Sequence, residues 1–166
     1  MNVEWFDQKL EIRIYVNDAE VELVESGGID RYWFAGNDGD QLGGHFVNRG
    51  NRPLEILVGH NGRDPYSGAP FHPRSPGKIL QVGEHMPIIR IPTGDERTAL
   101  HTILHPSDGG PMPDLDQVYE FGEFRIRVFV LEWRQNRWLR PEGEFSHGML
   151  LHYAPEAYLR EHGHIE

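Results

Sequence analysis

From Leu10 to Val16 the chain alternates with a period of two: Leu10, Ile12, Ile14 and Val16 fall on one face and Glu11, Arg13 and Tyr15 on the other. That is the signature of a strand with one buried and one wet face. Asn17-Asp18 supplies a turn, and Glu20 to Val24 alternates again with Val21 and Leu23 inward, which predicts a hairpin. A short aromatic strand follows at Arg31 to Ala35, then a polar loop from Gly36 to Gly44. His45 to Asn48 and Leu54 to His60 are two more strands around the turn 49–53. Lys78 to Val82 and Met86 to Ile91 flank Gly83-Glu84-His85 as a second hairpin, and Leu100 to His105 is a further short strand. Phe124 to Trp133 is the clearest strand, apolar on both faces toward its end, and Phe145 to Tyr153 is the last. Only Pro155 to His162 reads as a helix, with proline at its start and Gly163 past its end.

About eight to ten strands with no helical interludes predict an all-β fold, an antiparallel β-sandwich of jelly-roll type with one short C-terminal helix. The proline- and glycine-broken segments 61–76 and 106–116 are expected as long surface loops. Residues 1–166 are read as one domain, with 1–9 and 154–166 as terminal extensions. Composition agrees: 19 Gly and 12 Pro suit many tight turns.

Charge narrows the partners. Sixteen Lys and Arg stand against 26 Asp and Glu, a formal charge of −10, which disfavours direct nucleic-acid binding. The chain has no cysteine, so disulfides, thiolate nucleophiles and cysteine-based zinc sites are excluded. Neither a signal peptide nor a membrane span is expected from the start Met1 to Asp7 or from any apolar run. Only Lys9 and Lys78 accompany fourteen arginines, which suits a GC-rich genome or a hot habitat.

Candidate chemistry is sparse. His101 and His105 share a face of a strand, but about 13 Å apart at ~3.3 Å per residue, too far for one ion. A cupin-type metal enzyme would need a His-x-His in the barrel, and the one present, His162-Gly-His164, lies near the end of the chain. Asn37-Asp38-Gly39-Asp40 reads as a turn rather than a calcium loop. The acidic stretches at Asp95-Glu96 and at Asp114, Asp116, Glu120 and Glu123 single out no glycosidase pair, and Ser146-His147 belongs to no nucleophile signature. No cofactor is expected. Among the aromatic residues, Trp33 and Trp133 are expected in the core and Trp138, in a turn-like segment, outside it. Trp138, Tyr66, Tyr158 and Arg160 are the expected interface or ligand anchors.

From Leu10 to Tyr153, the strand pattern, size and Arg-rich, Cys-free composition resemble the single jelly-roll major capsid proteins of icosahedral, membrane-containing viruses of hot or salty habitats. A more local likeness covers Val58 to Gly68 and Pro76 to Glu84, similar to a hairpin-loop-hairpin pattern of bacterial and phage β-proteins, with His60-Asn61 standing where that pattern has Val-Asp. The capsid resemblance implies a structural virion protein rather than an enzyme. It would self-assemble with copies of itself and other virion proteins through loops, termini and edge strands, near a viral membrane but without spanning it. Outside that resemblance the expected location is cytoplasmic. The alternatives from other classes are a carbohydrate- or protein-binding β-sandwich module, using Tyr66, Trp138 or Trp33, and a cupin-like metal-dependent enzyme.

Overall fold

The computed structural model describes residues 1–5, 7–65, 67, 69–72, 74–89, 96, 98–100, 122–143 and 145–166. In chain order the strands are β1 (Asn2–Trp5), β2 (Gln8–Val16), β3 (Ala19–Val21), β4 (Val24–Glu25), β5 (Arg31–Ala35), β6 (Gln41–Asn48) and β7 (Leu54–His60). They continue as β8 (Lys78–Leu80), β9 (His85–Pro87), β10 (Thr98–Ala99), β11 (Gly122–Val130), β12 (Glu132–Arg134), β13 (Arg137–Leu139) and β14 (His147–Ala154), followed by helix α1 (Glu156–Glu161).

The chain is mostly β. Sheet A runs β1-β2-β6-β10, with β3 also on β2 and β9 also on β6. Sheet B runs β4-β5-β14-β11-β7-β8, and β12-β13 form a separate hairpin. Leu10, Ile12, Ile14, Leu42 and Phe46 of sheet A meet Phe34, Leu54, Ile56, Phe124, Ile126 and Leu151 of sheet B in one buried cluster. The alternation read from the sequence thus sorts side chains between the space joining the sheets and their outer faces.

Three expectations change. First, the sheets are not antiparallel throughout, because β5 runs parallel to β14, from Arg31 opposite Leu150 to Ala35 opposite Ala154. The left-handed positions Gly27 (φ 80°) and Asp30 (φ 55°) turn the chain between β4 and β5, which pair antiparallel within sheet B, and so set β5 alongside β14. Two antiparallel sheets of four, as a jelly roll requires, are therefore not the order observed. Second, β8 and β9 are no hairpin: Leu80 pairs with Leu54 in sheet B, whereas Met86 pairs with Phe46 in sheet A. Buried Asn48 holds this crossing, its Nδ2 donating to the Leu80 and Arg52 carbonyls (3.1 and 2.8 Å) while its backbone carbonyl accepts from Gly83 N at 2.8 Å. Third, the long strand ending at Trp133 breaks at Leu131, whose carbonyl is taken by the Arg52 guanidinium. Beyond the break, Gln135 and Asn136 (φ 54° and 59°) form the tight turn of a new hairpin. The expected strand 100–105 and loop 106–116 lie, beyond Leu100, outside the described residues.

The termini are parts of the sandwich rather than extensions. β1 pairs with β2, and Met1 exchanges backbone hydrogen bonds with Ile12, both at 2.8 Å. α1 lays Leu159, fully buried, against Trp33 and Ala154 on the outer face of sheet B. Arg160 pairs with Glu156 at 2.6 Å and donates to the Glu166 carbonyl, bracing the helix.

Two predictions test this architecture. At Gly44 (φ 157°) a Cβ would overlap the Arg13 carbonyl oxygen and press on Ile88, whereas at Gly148 it would meet nothing. Gly44→Ala is expected to cost on the order of 3 kcal/mol and Gly148→Ala less than about 0.5, read from urea unfolding. The second concerns His152, buried under Trp33 (ring centroids 4.6 Å apart), where burial, and then the charge of Arg31, push its pKa down to about 4. Its imidazole is thus neutral at pH 7, and the Glu123 carboxylate 4.0 Å away is a polar neighbour rather than an ion-pair partner. The unfolded chain takes up this proton first, so stability is full above about pH 6.5 and falls as the pH drops toward 4. The loss is on the order of 3 kcal/mol, and His152→Gln should flatten that part of the pH-stability curve.

Candidate ligand-binding site

The two outer faces differ. Sheet B is covered at one end by α1 and at the other by Phe71, Leu131 and Trp138, which pack on Leu57 and Phe129. Arg140 fastens that second cover: it pairs with Glu55, donates to the Ser75 carbonyl at 2.8 Å and lies 4.1 Å over the Phe129 ring. No comparable apolar cluster covers the outer face of sheet A among the described residues.

On that open face the register sets Tyr15 of β2 opposite Gly43 of β6, and His45 of β6 between Arg13 on one side and Pro87 of β9 on the other. Leu42, Gly44 and Phe46 share positions with the core, so Gly43 and His45 point outward. Three rings line up across the strands: Tyr15 to His45 at 6.0 Å between centroids, and His45 to His85 at 5.5 Å, tilted by 32° and 37°. Gly43, without a side chain, leaves a gap beside them. The result is an open trough of about 390 Å³, bordered by Asp18, Gln41 and Glu96 as well as the rings.

Burial in the trough, then the neighbouring His85 and Arg13, lower the pKa of His45, so its ring is neutral at pH 7. The trough therefore offers aromatic and imidazole faces, an amide and two carboxylates, with Gly43 and Gly44 in its lining. This set can stack on an apolar face and hydrogen-bond to hydroxyl groups at its edge. Among the described residues no group of three or more His, Asp or Glu is placed to hold a metal ion, and His162 and His164 instead stack on Tyr158 and Trp33, both at 3.9 Å.

The anchors expected from sequence lie elsewhere. Trp138 is half-buried, its ring edge-on to Trp133 at 5.3 Å and packed on the Phe129 cluster, and the more exposed of the pair is Trp133, at 58%. The tight turn at 135–136 makes them cross-strand partners on one face, with Trp138 beneath. Trp33 is buried as expected. Tyr158 and Arg160 brace the terminal helix, and Tyr66 lies outside the described residues, as do His101 and His105. The 37–40 turn is closed by Asp40 accepting from Asn37 N at 2.9 Å and from Asn17 Nδ2 at 3.0 Å. Sequence reasoning missed the trough because its parts are far apart in the chain. The signal available is Gly43-Gly44, at the end of the expected loop 36–44, directly ahead of His45 at the start of the expected strand 45–48.

No protein-family model matches the chain, and neither curated proteins nor solved structures match it.

Proposed function

We propose that the protein is a non-catalytic carbohydrate-binding β-sandwich module that receives a neutral glycan along the trough of sheet A. The observation that carries this reading is the row Tyr15, His45, His85 beside the bare Gly43, on a sheet face over which the described residues form no apolar cluster. Ring faces at spacings of about one sugar unit suit the apolar C–H faces of pyranoses, and Asp18, Glu96 and Gln41 suit their hydroxyls. A formal charge of −10 favours neutral over polyanionic glycans.

The strand order supports a binding module as well. β2-β6-β9/β10 beside β14-β11-β7-β8 follows the A-B-E and G-F-C-C′ order of immunoglobulin-like sandwiches, and we infer that relationship in preference to a jelly roll. The capsid resemblance implies assembly through loops, termini and edge strands. Residues 2–5 pair with β2, α1 packs on sheet B, and the described edge strands β1, β3, β4, β8, β9 and β10 have only two to four residues, a form that resists edge-to-edge pairing.

A neutral-glycan array followed by calorimetry tests the proposal. Selective, saturable binding is expected, weakened about tenfold or more by Tyr15→Ala and by His85→Ala with unchanged melting curves. Binding to no glycan, or binding indifferent to both substitutions, would overturn it.

A further inference from the structure

Between the two apolar clusters on the outer face of sheet B, one around Trp33 and one around Phe129, lies a strip of different chemistry. The register sets Arg31 of β5 opposite Leu150 of β14, Leu150 opposite Arg125 of β11, and Gly148 opposite Arg127. Tyr32, Ile126 and Met149 belong to the core, so the alternating positions Arg31, Arg125, Arg127 and Gly148 point outward. Arg31 and Arg125 thus flank β14 from backbones roughly 10 Å apart, two strand spacings. At Gly148 a Cβ would meet nothing within 4 Å, so the backbone beside the arginines is bare.

The chain as a whole is acidic, with 26 Asp and Glu against 16 Lys and Arg, yet this strip is positive. Arg125 lies 3.5 Å from Glu123, whereas neither Arg31 nor Arg127, both half-buried, pairs with a carboxylate among the described residues. Glu55, further along the same face, is held by Arg140. Neighbouring groups register the excess: burial and then the charge of Arg31 lower the His152 pKa, and Arg125 adds to the effect. Glu123 offsets one of the three guanidinium charges and leaves two. A phosphate monoester carries close to two negative charges at neutral pH, and guanidinium forks match its oxygens in bidentate pairs. A phosphodiester or a carboxylate supplies only one.

We propose that this strip binds a phosphate monoester, its oxygens shared among Arg31, Arg125 and Arg127 beside the bare backbone of Gly148. The site lies on the opposite sheet from the glycan trough and stands or falls separately from it.

The test is calorimetric titration of the full chain at low salt with glycerol 3-phosphate and with a phosphoserine peptide, against dimethyl phosphate as the diester control. Saturable binding of a monoester is expected, with the diester about tenfold weaker or more. Tighter binding of the peptide would identify a phosphorylated protein as the source of the group, and equal or tighter binding of glycerol 3-phosphate a small phosphate ester. Arg31→Gln and Arg127→Gln break no ion pair among the described residues, and each should weaken binding about tenfold with unchanged melting curves. Gly148→Glu sets a carboxylate among the guanidinium groups where a side chain has room, and should abolish binding even where an arginine variant fails to fold. Binding of neither monoester, equal affinity for the diester, or binding indifferent to these substitutions would overturn the proposal.

Discussion

Everything in sheet A hangs on the pairing of β2 with β6. Among the described residues β1 and β3 attach only to β2, and β9 and β10 only to β6, so a fault between these two strands would divide the sheet. The pairing depends on a backbone position where only glycine serves: Gly44 approaches the Arg13 carbonyl so closely that no side chain can stand there. Its neighbour Gly43 performs the complementary task on the outside, leaving the gap from which the trough is made. Two consecutive glycines thus close the sandwich on one face and open a site on the other.

The second organising fact is the unequal treatment of the two sheets. Sheet B has apolar residues on both faces, and the chain spends its last helix, its extra hairpin and Phe71 on covering the outer one. Its core side is fixed by Tyr153, whose ring lies against Gly122 and whose hydroxyl is met by His60 Nε2 at 2.9 Å and Asn61 Nδ2 at 3.2 Å. Sheet A carries polar side chains on its outer face along the alternating β2, and among the described residues no apolar cluster packs on that face. A rigid, covered sheet behind an open, ring-bearing one is a suitable platform for recognition, since the site residues stand on paired strands rather than on loops.

Much of the fold was legible in the sequence. Arg31–Ala35 and Leu54–His60 were read with the observed limits, and the terminal helix within a residue at each end, because period-two alternation and the Pro155/Gly163 punctuation are local signals. Pairing is not local. Nothing between Lys78 and Pro87 shows that the strands flanking Gly83 belong to different sheets, because that outcome rests on Asn48, some thirty residues earlier. The parallel entry of β5 likewise depends on where β14 arrives, more than a hundred residues later. The site was less legible than the fold. Trp138 was preferred over Trp133 because it lay nearer a turn, but which of two cross-strand tryptophans is covered depends on Leu57, Phe71 and Phe129. Tyr15, His45 and His85 share no spacing at all; only the β2-β6-β9 register makes them neighbours.

The most direct test of the central claim is an amide NMR titration of the intact chain with a panel of neutral hexose oligosaccharides. The account predicts shift changes confined to Tyr15, Asp18, Gln41, Gly43, His45 and His85, with the outer face of sheet B unmoved. Changes centred instead on Trp133 and Trp138, or no change with any oligosaccharide, would contradict it.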